Sequence, residues 1–250
     1  MGQYYNVTLT KNGKTTIITS STTARMTEEE KQDKNNWNFY RGAKITEHSW
    51  IGNTFVQGIA GKLYNKKGRL AWVGDYTDQI MSEVKSSDGT VAPLPPNELY
   101  SGTLYKKNPD GTYYHNENGY IEEDENASLP DGVKVYNRPL RYNPNFDIRD
   151  KFIINLSRKE YVDMKAYIKR STMTDEGWED WCQHPLPLLT STGGDLGGGD
   201  YHSGCIDAAY VGRWAYDEII IKDKAPKGKD FKVLNVTFNE RKEVPCEGVV

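Results

Sequence analysis

Turn dipeptides punctuate this chain: Asn12-Gly13, Asp88-Gly89, Asp110-Gly111 and Asp131-Gly132 each interrupt short runs rich in Thr, Ile, Val or Tyr. An Asn-Gly or Asp-Gly pair supplies positive φ at little steric cost and reverses the chain within two residues. A chain so divided folds into hairpins before anything else. Gln3 to Thr10 and Lys14 to Ser20 around Asn12-Gly13 predict an N-terminal β-hairpin. Three more dipeptides, together with Pro93, Pro95 and Pro96, fall in Ser86 to Asn145, where tyrosines stud short strands. That region has no strong apolar period and no evident internal repeat. It reads as a hairpin-rich insertion, residues 86–146, within a single domain spanning 1–250.

Helical signals are few. Phe55, Ile59 and Leu63 recur four apart in Asn53 to Tyr64 and define one apolar face, with Gly68 as a stop. Lys44 to Trp50 reads as a short strand before this helix and Arg69 to Asp75 as a buried strand after it, a β-α-β order that hints at a crossover. Lys151 to Ser157, Val211 to Lys222 and Phe231 to Phe238 read as further strands, as does the approach to the apolar run Leu186 to Leu189. Thr27 to Asn36 is a charged excursion with a capping-box pattern. These signals predict an α+β fold, a mainly antiparallel β-sheet with one or two helices packed on it.

The formal charge of −3 argues against a nucleic-acid partner, which selects for a basic stripe. No run approaches the length of apolar sequence a membrane helix needs, and the opening residues lack a signal-peptide pattern. The expectation is a cytoplasmic protein without a membrane partner. Apolar residues make up only 36% of the chain, but 17 Tyr and 6 Trp supply area that is apolar on its faces and polar at its edge.

The densest chemistry lies between Cys182 and Cys205, a stretch with two cysteines, two histidines and six glycines, five of them within residues 193–199. Backbone N–H groups in a glycine loop form a nest for anions. The candidate ligand-binding set is Gly197, Gly198, Gly199, Asp200, Tyr201 and His202. Asp75 and Tyr76 join it because Gly-Asp-Tyr occurs twice, and Trp50, Arg213 and Trp214 join it as ring-stacking and phosphate-facing groups. Neither the P-loop nor the dinucleotide-binding glycine pattern is present. Cys182, His184, His202 and Cys205 are four donors of the type zinc takes, although C-x-H is not the usual knuckle spacing. His202, Asp200 and His48 are the residues an acid–base enzyme would use.

The segments EHSWIGN (47–53), RLAWVGDY (69–76), HPLPLLT (184–190), GGGDYH (197–202) and VGRWAYDEI (211–219), with the MGQYY opening, resemble a family of proteins encoded by bacteria and their phages. The resemblance covers roughly residues 1–84 and 150–238. It implies that the two ends form one body with the middle inserted, and it implies no catalytic residue. A phage setting points toward interference with host machinery.

These readings together predict a non-catalytic protein. It holds a small anionic, nucleotide-like ligand at the glycine loop, or engages a partner protein through a Tyr/Trp-rich face. The alternative is a hydrolase or nucleotide-processing enzyme, metal-dependent if zinc is bound.

Overall fold

A computed structural model describes residues 4–19, 49–136, 140, 143, 145–171, 182–193 and 209–236. Its frame is a nine-stranded open sheet. In chain order the strands are β1 (Tyr5–Lys11), β2 (Lys14–Ile18), β3 (Gly68–Gly74), β4 (Val133–Tyr136), β5 (Phe152–Asn155), β6 (Glu160–Asp163), β7 (Ser191–Thr192), β8 (Glu218–Lys222) and β9 (Lys232–Val233). They lie in the order β4-β2-β1-β3-β8-β5-β6-β9, and β7 also pairs with β3.

The N-terminal hairpin forms where Asn12-Gly13 predicts it, with φ of 49° and 73° at those two residues. The sheet is mixed, which corrects the antiparallel expectation: β2–β4, β3–β7 and β6–β9 are parallel pairs. Parallel neighbours need long connections, and each of these pairs is joined through more than sixty residues or around a helix. β3 runs antiparallel to β1, and of the first strand of the hinted crossover, Lys44 to Trp50, only residues 49 and 50 are among those described.

Four helices are described: α1 (Thr54–Leu63), α2 (Pro96–Ser101), α3 (Met164–Arg170) and α4 (Pro185–Thr190). Asn53 caps α1, its side-chain oxygen accepting from the Phe55 and Val56 amides at 2.9 and 3.2 Å. The expected apolar face packs inward, with Phe55 meeting Trp72 edge to face. The approach is extended as expected, with Gln183 bridged to Trp50 and His184 in the β region, and the run Leu186 to Leu189 is helical. Pro185 sits at the first helical position, where its missing N–H is harmless, and His184 caps the helix through Nδ1.

Side-chain alternation assigns two cores to the two faces of the sheet. Tyr5, Val7, Leu9, Leu70, Trp72, Ile153, Ile219 and Ile221 join α1, α3 and α4 on one face. Ala71 and Val73 point the other way, into a smaller cluster with Val84, Ala92, Leu94, Leu99 and Tyr216. The first part of the 86–146 region therefore forms a third layer over β1 and β3, tied down by the Asn6 amide donating to the Tyr100 carbonyl at 2.7 Å.

Beyond that layer, residues 104–127 fall into three octads, LYKKNPDG, TYYHNENG and YIEEDENA. Each has a short strand followed by a tight turn. In each turn the amide of the eighth residue donates to the carbonyl of the fifth: Gly111 to Asn108, Gly119 to Asn116 and Ala127 to Asp124, at 2.9 to 3.1 Å. The strands close on one another in a ring. The Lys106 amide donates to Glu122, Glu122 to Tyr114, and Tyr114 back to Lys106, at 2.9, 3.1 and 2.9 Å. Burial repeats with the same period: the second and fifth positions are half-buried and the fourth, sixth, seventh and eighth exposed in every unit.

Candidate functional site

The structure places the sequence-derived candidates unevenly. Gly197, Gly198, Gly199, Asp200, Tyr201, His202, His48 and Cys205 lie outside the described residues. Of the ligand set, Asp75, Tyr76, Trp50, Arg213 and Trp214 are described.

Arg213 does not face an open anion site. Its guanidinium grips Glu160 with two bonds, Nε to Oε2 at 3.0 Å and Nη2 to Oε1 at 2.5 Å. Trp214 is fully buried, and its indole N–H donates to the same carboxylate at 2.7 Å. These donors hold the Glu160 carboxyl below its usual range although its burial acts the other way. Gly212 makes this geometry reachable. At φ +66° an added Cβ would stand 2.6 Å from the Ser191 carbonyl oxygen. Gly212→Ala is expected to destabilise the protein by about 2–3 kcal/mol in urea unfolding, through left-handed strain and this contact. Wild-type stability in that variant would mean the segment after α4 can shift freely.

Asp75 closes the end of the β1–β3 pair, accepting from the Tyr4 amide at 3.2 Å while its own amide donates to the Tyr4 carbonyl at 3.0 Å. Tyr76 opens the 3₁₀ turn Thr77–Gln79. Trp50 is half-buried opposite Gln183 in an antiparallel bridge.

That bridge fixes the faces of the metal candidates. Cys182 and His184 point to the buried side with Ser49 and Ile51, while Trp50 and Gln183 point away. The strand spacing thus puts Cys182 and His184 on one face, as a metal site would require. The cap bond weighs against it. Nδ1 accepts the Leu186 amide at 3.1 Å, so the ring proton resides on Nε2, which then has no lone pair for a metal. Burial drives the His184 pKa down to about 3, keeping the ring neutral. In this geometry His184 is a helix cap, and the four-donor zinc set lacks one of its members.

Asp217, which sequence reasoning passed over, is a buried carboxylate with four donors around it. Fully buried at the start of β8, it accepts from the Ser87 amide and hydroxyl, both at 2.7 Å, from the Asn155 side chain at 2.8 Å and from Arg158 Nε at 3.1 Å. Four donors saturate its oxygens, which makes it a structural tie rather than a base. Beside it, Asp88 accepts from Arg69 at 3.2 and 2.8 Å and from the Ser157 hydroxyl at 3.0 Å. The Arg69 guanidinium above all holds the Asp88 carboxyl well below the usual carboxylate range. Together they lock the turn at Ser87 and Asp88 onto the β5–β6 turn.

What the structure leaves open to solvent is the octad ring. Tyr120 is 71% exposed and Tyr114 44%. Tyr105 and Tyr113 meet edge to face inside the ring, with the Lys107 ammonium 5.5 Å from the Tyr113 ring centre. Lys107 also reaches the buried Glu98 of α2 at 3.2 Å, fastening the ring to the third layer. Lys106, Lys107, Tyr114, Glu122 and Asp124 line a shallow concavity of about 330 Å³. Among the described residues Tyr114 and Tyr120 are exposed aromatics of this ring, whereas Trp72 and Trp214 are core. The signal that could have found it is the recurrence of Asn/Asp-x-Asp/Asn-Gly/Ala every eight residues.

No family model, curated protein or solved structure matches this chain. No helix among the described residues is long and apolar enough to cross a membrane.

Proposed function

We propose that this is a non-catalytic binding protein that engages a partner protein through the tyrosine face of its octad ring. One observation carries this reading: Tyr114 and Tyr120 stand exposed on a rigid, hydrogen-bonded frame, beside a concavity edged by Lys106, Glu122 and Asp124. Tyrosine offers a large contact area at low entropic cost, and truncated interface tyrosines are frequent hot spots. Of the residues named for a small ligand, Arg213 is held by Glu160 and Trp214 is buried, while the glycine loop 197–202 lies outside the described residues. The resemblance to bacterial and phage proteins favours a host protein as the partner.

The test is site-specific photo-crosslinking in bacterial cells from position 120, with a probe at exposed Lys85, outside the ring, as control. A discrete protein adduct is expected from position 120 and not from position 85. Tyr114→Ala is expected to weaken binding of that adduct's purified protein at least about tenfold without changing the melting temperature. Adducts from both positions alike, or undiminished binding by the variant, would sink the proposal.

A further inference from the structure

We propose a second site, separate from the octad ring: a groove on the outer face of β5 and β8 that binds a free anionic amphiphile, a single alkyl chain ending in a carboxylate. The third layer that covers β1 and β3 does not extend over this half of the sheet among the described residues. The register pairs Ile154 with Ile220 and Phe152 with Lys222, so these four side chains share the face opposite the main core. Ile154, Leu156 and Ile220 form an apolar floor, and Ala225, Pro226 and Phe231 from the β8–β9 connection form a wall. The groove has a volume of about 440 Å³, within the size range of small-ligand sites.

Its rim selects for negative charge. Lys222 and Lys224 line the mouth, and neither has an ion-pair partner among the described residues. Asp223, the acid between them, is already engaged by Lys151 at 3.1 Å and by the Tyr64 hydroxyl at 2.8 and 2.9 Å. Lys159 stands 5.1 Å from the Phe231 ring centre, and exposed Lys227, Lys229 and Lys232 follow in the same connection. This local excess of cations, on a chain of net charge −3, concentrates anions at an apolar slot. Two ammonium groups that make no ion pair among the described residues, Lys222 in the field of Asp223 and Lys224 beyond it, stand over the apolar floor and fit a carboxylate head with an aliphatic tail. A protein partner would require a larger apolar surface than this slot offers.

The experiment is calorimetric titration of the full chain with decanoate, below its micellar range, against octanoate and decyltrimethylammonium. Saturable one-to-one binding of decanoate is expected, about tenfold tighter than octanoate because two more methylenes are buried. The cationic amphiphile is expected not to compete. Ala225→Glu, on the exposed connection, fills the groove with the wrong charge without touching a strand, and should weaken decanoate at least tenfold. The pair Lys222→Glu and Lys224→Glu should do the same. Non-saturable binding, no dependence on chain length, or full affinity in Ala225→Glu would overturn the site. So would lysine variants that keep full affinity.

Discussion

Between pH 7 and pH 5 the protein is expected to lose about 2 kcal/mol of folding stability through one side chain, His184. Burial lowers its pKa from 6.5 to about 3 in the folded state. Below 6.5 the unfolded chain takes up a proton that the folded chain refuses, so stability present at neutral pH drains away as pH falls toward 3. The folded ring cannot accept that proton cheaply: Nδ1 is bonded to the Leu186 amide, and Nε2 is buried with no partner among the described residues. Urea unfolding at pH 7 and pH 5 measures the loss. His184→Asn keeps an acceptor for the α4 amide and removes the titration. The variant should lose less stability across that interval than the wild type, by about 2 kcal/mol; equal losses would remove His184 as the cause. Asp88 acts at lower pH. Its depressed pKa stabilises the fold above the usual carboxylate range, and this stability is lost as acid protonates it below about pH 4.

Replacing Asp217 with Ala is expected to cost about 3–5 kcal/mol, because the partners of a buried carboxylate are stranded with it. Arg158 loses its counter-ion, and the Ser87 amide and Asn155 side chain lose their acceptors. For a chain of this size that corresponds to a fall in melting temperature of about 10 °C. Asp217→Asn, which keeps one acceptor oxygen but presents an amide to Arg158, should fall between the two. Melting curves of the three proteins decide it, and an Ala variant within 1–2 °C of wild type would show that water replaces the carboxylate. This prediction is specific because Asp217 joins the turn at Ser87 to Asn155 of β5 and to Arg158 of the β5–β6 turn at one point.

Local signals were legible where one residue type has one conformational use. Asn12-Gly13 dictates its hairpin and Asn53 starts α1, because each supplies a geometry or bond the backbone needs there. Long-range pairing was not legible. Nothing in Val133 to Tyr136 announces that it lies parallel to β2, since partner choice depends on the sixty and more residues that intervene. The Leu186 to Leu189 run was ambiguous between strand and helix, as short apolar runs are, and Pro185 with the His184 cap settled it. The octads escaped notice because they repeat a turn rather than an apolar pattern: their second positions, Tyr105, Tyr113 and Ile121, share little beyond half-burial. Asp217 was invisible as a lone acid, and its meaning comes wholly from Ser87, Asn155 and Arg158 brought to it from distant segments.

The ring of octads also sets rules for how this region can vary through descent. Each unit passes its bond to the next and the last returns it to the first, so the count is fixed at three. Loss of residues 112–119 would leave two strands with open donors and acceptors, and a fourth unit would have no gap to enter. Length is therefore frozen, while composition is free at the sixth position of every unit, which faces water; the fourth holds Lys107 against Glu98, and the eighth holds Gly111 and Gly119 at φ of 86° and 78°. Such a frame lets one lineage present different side chains to different partners while the backbone that carries them stays the same.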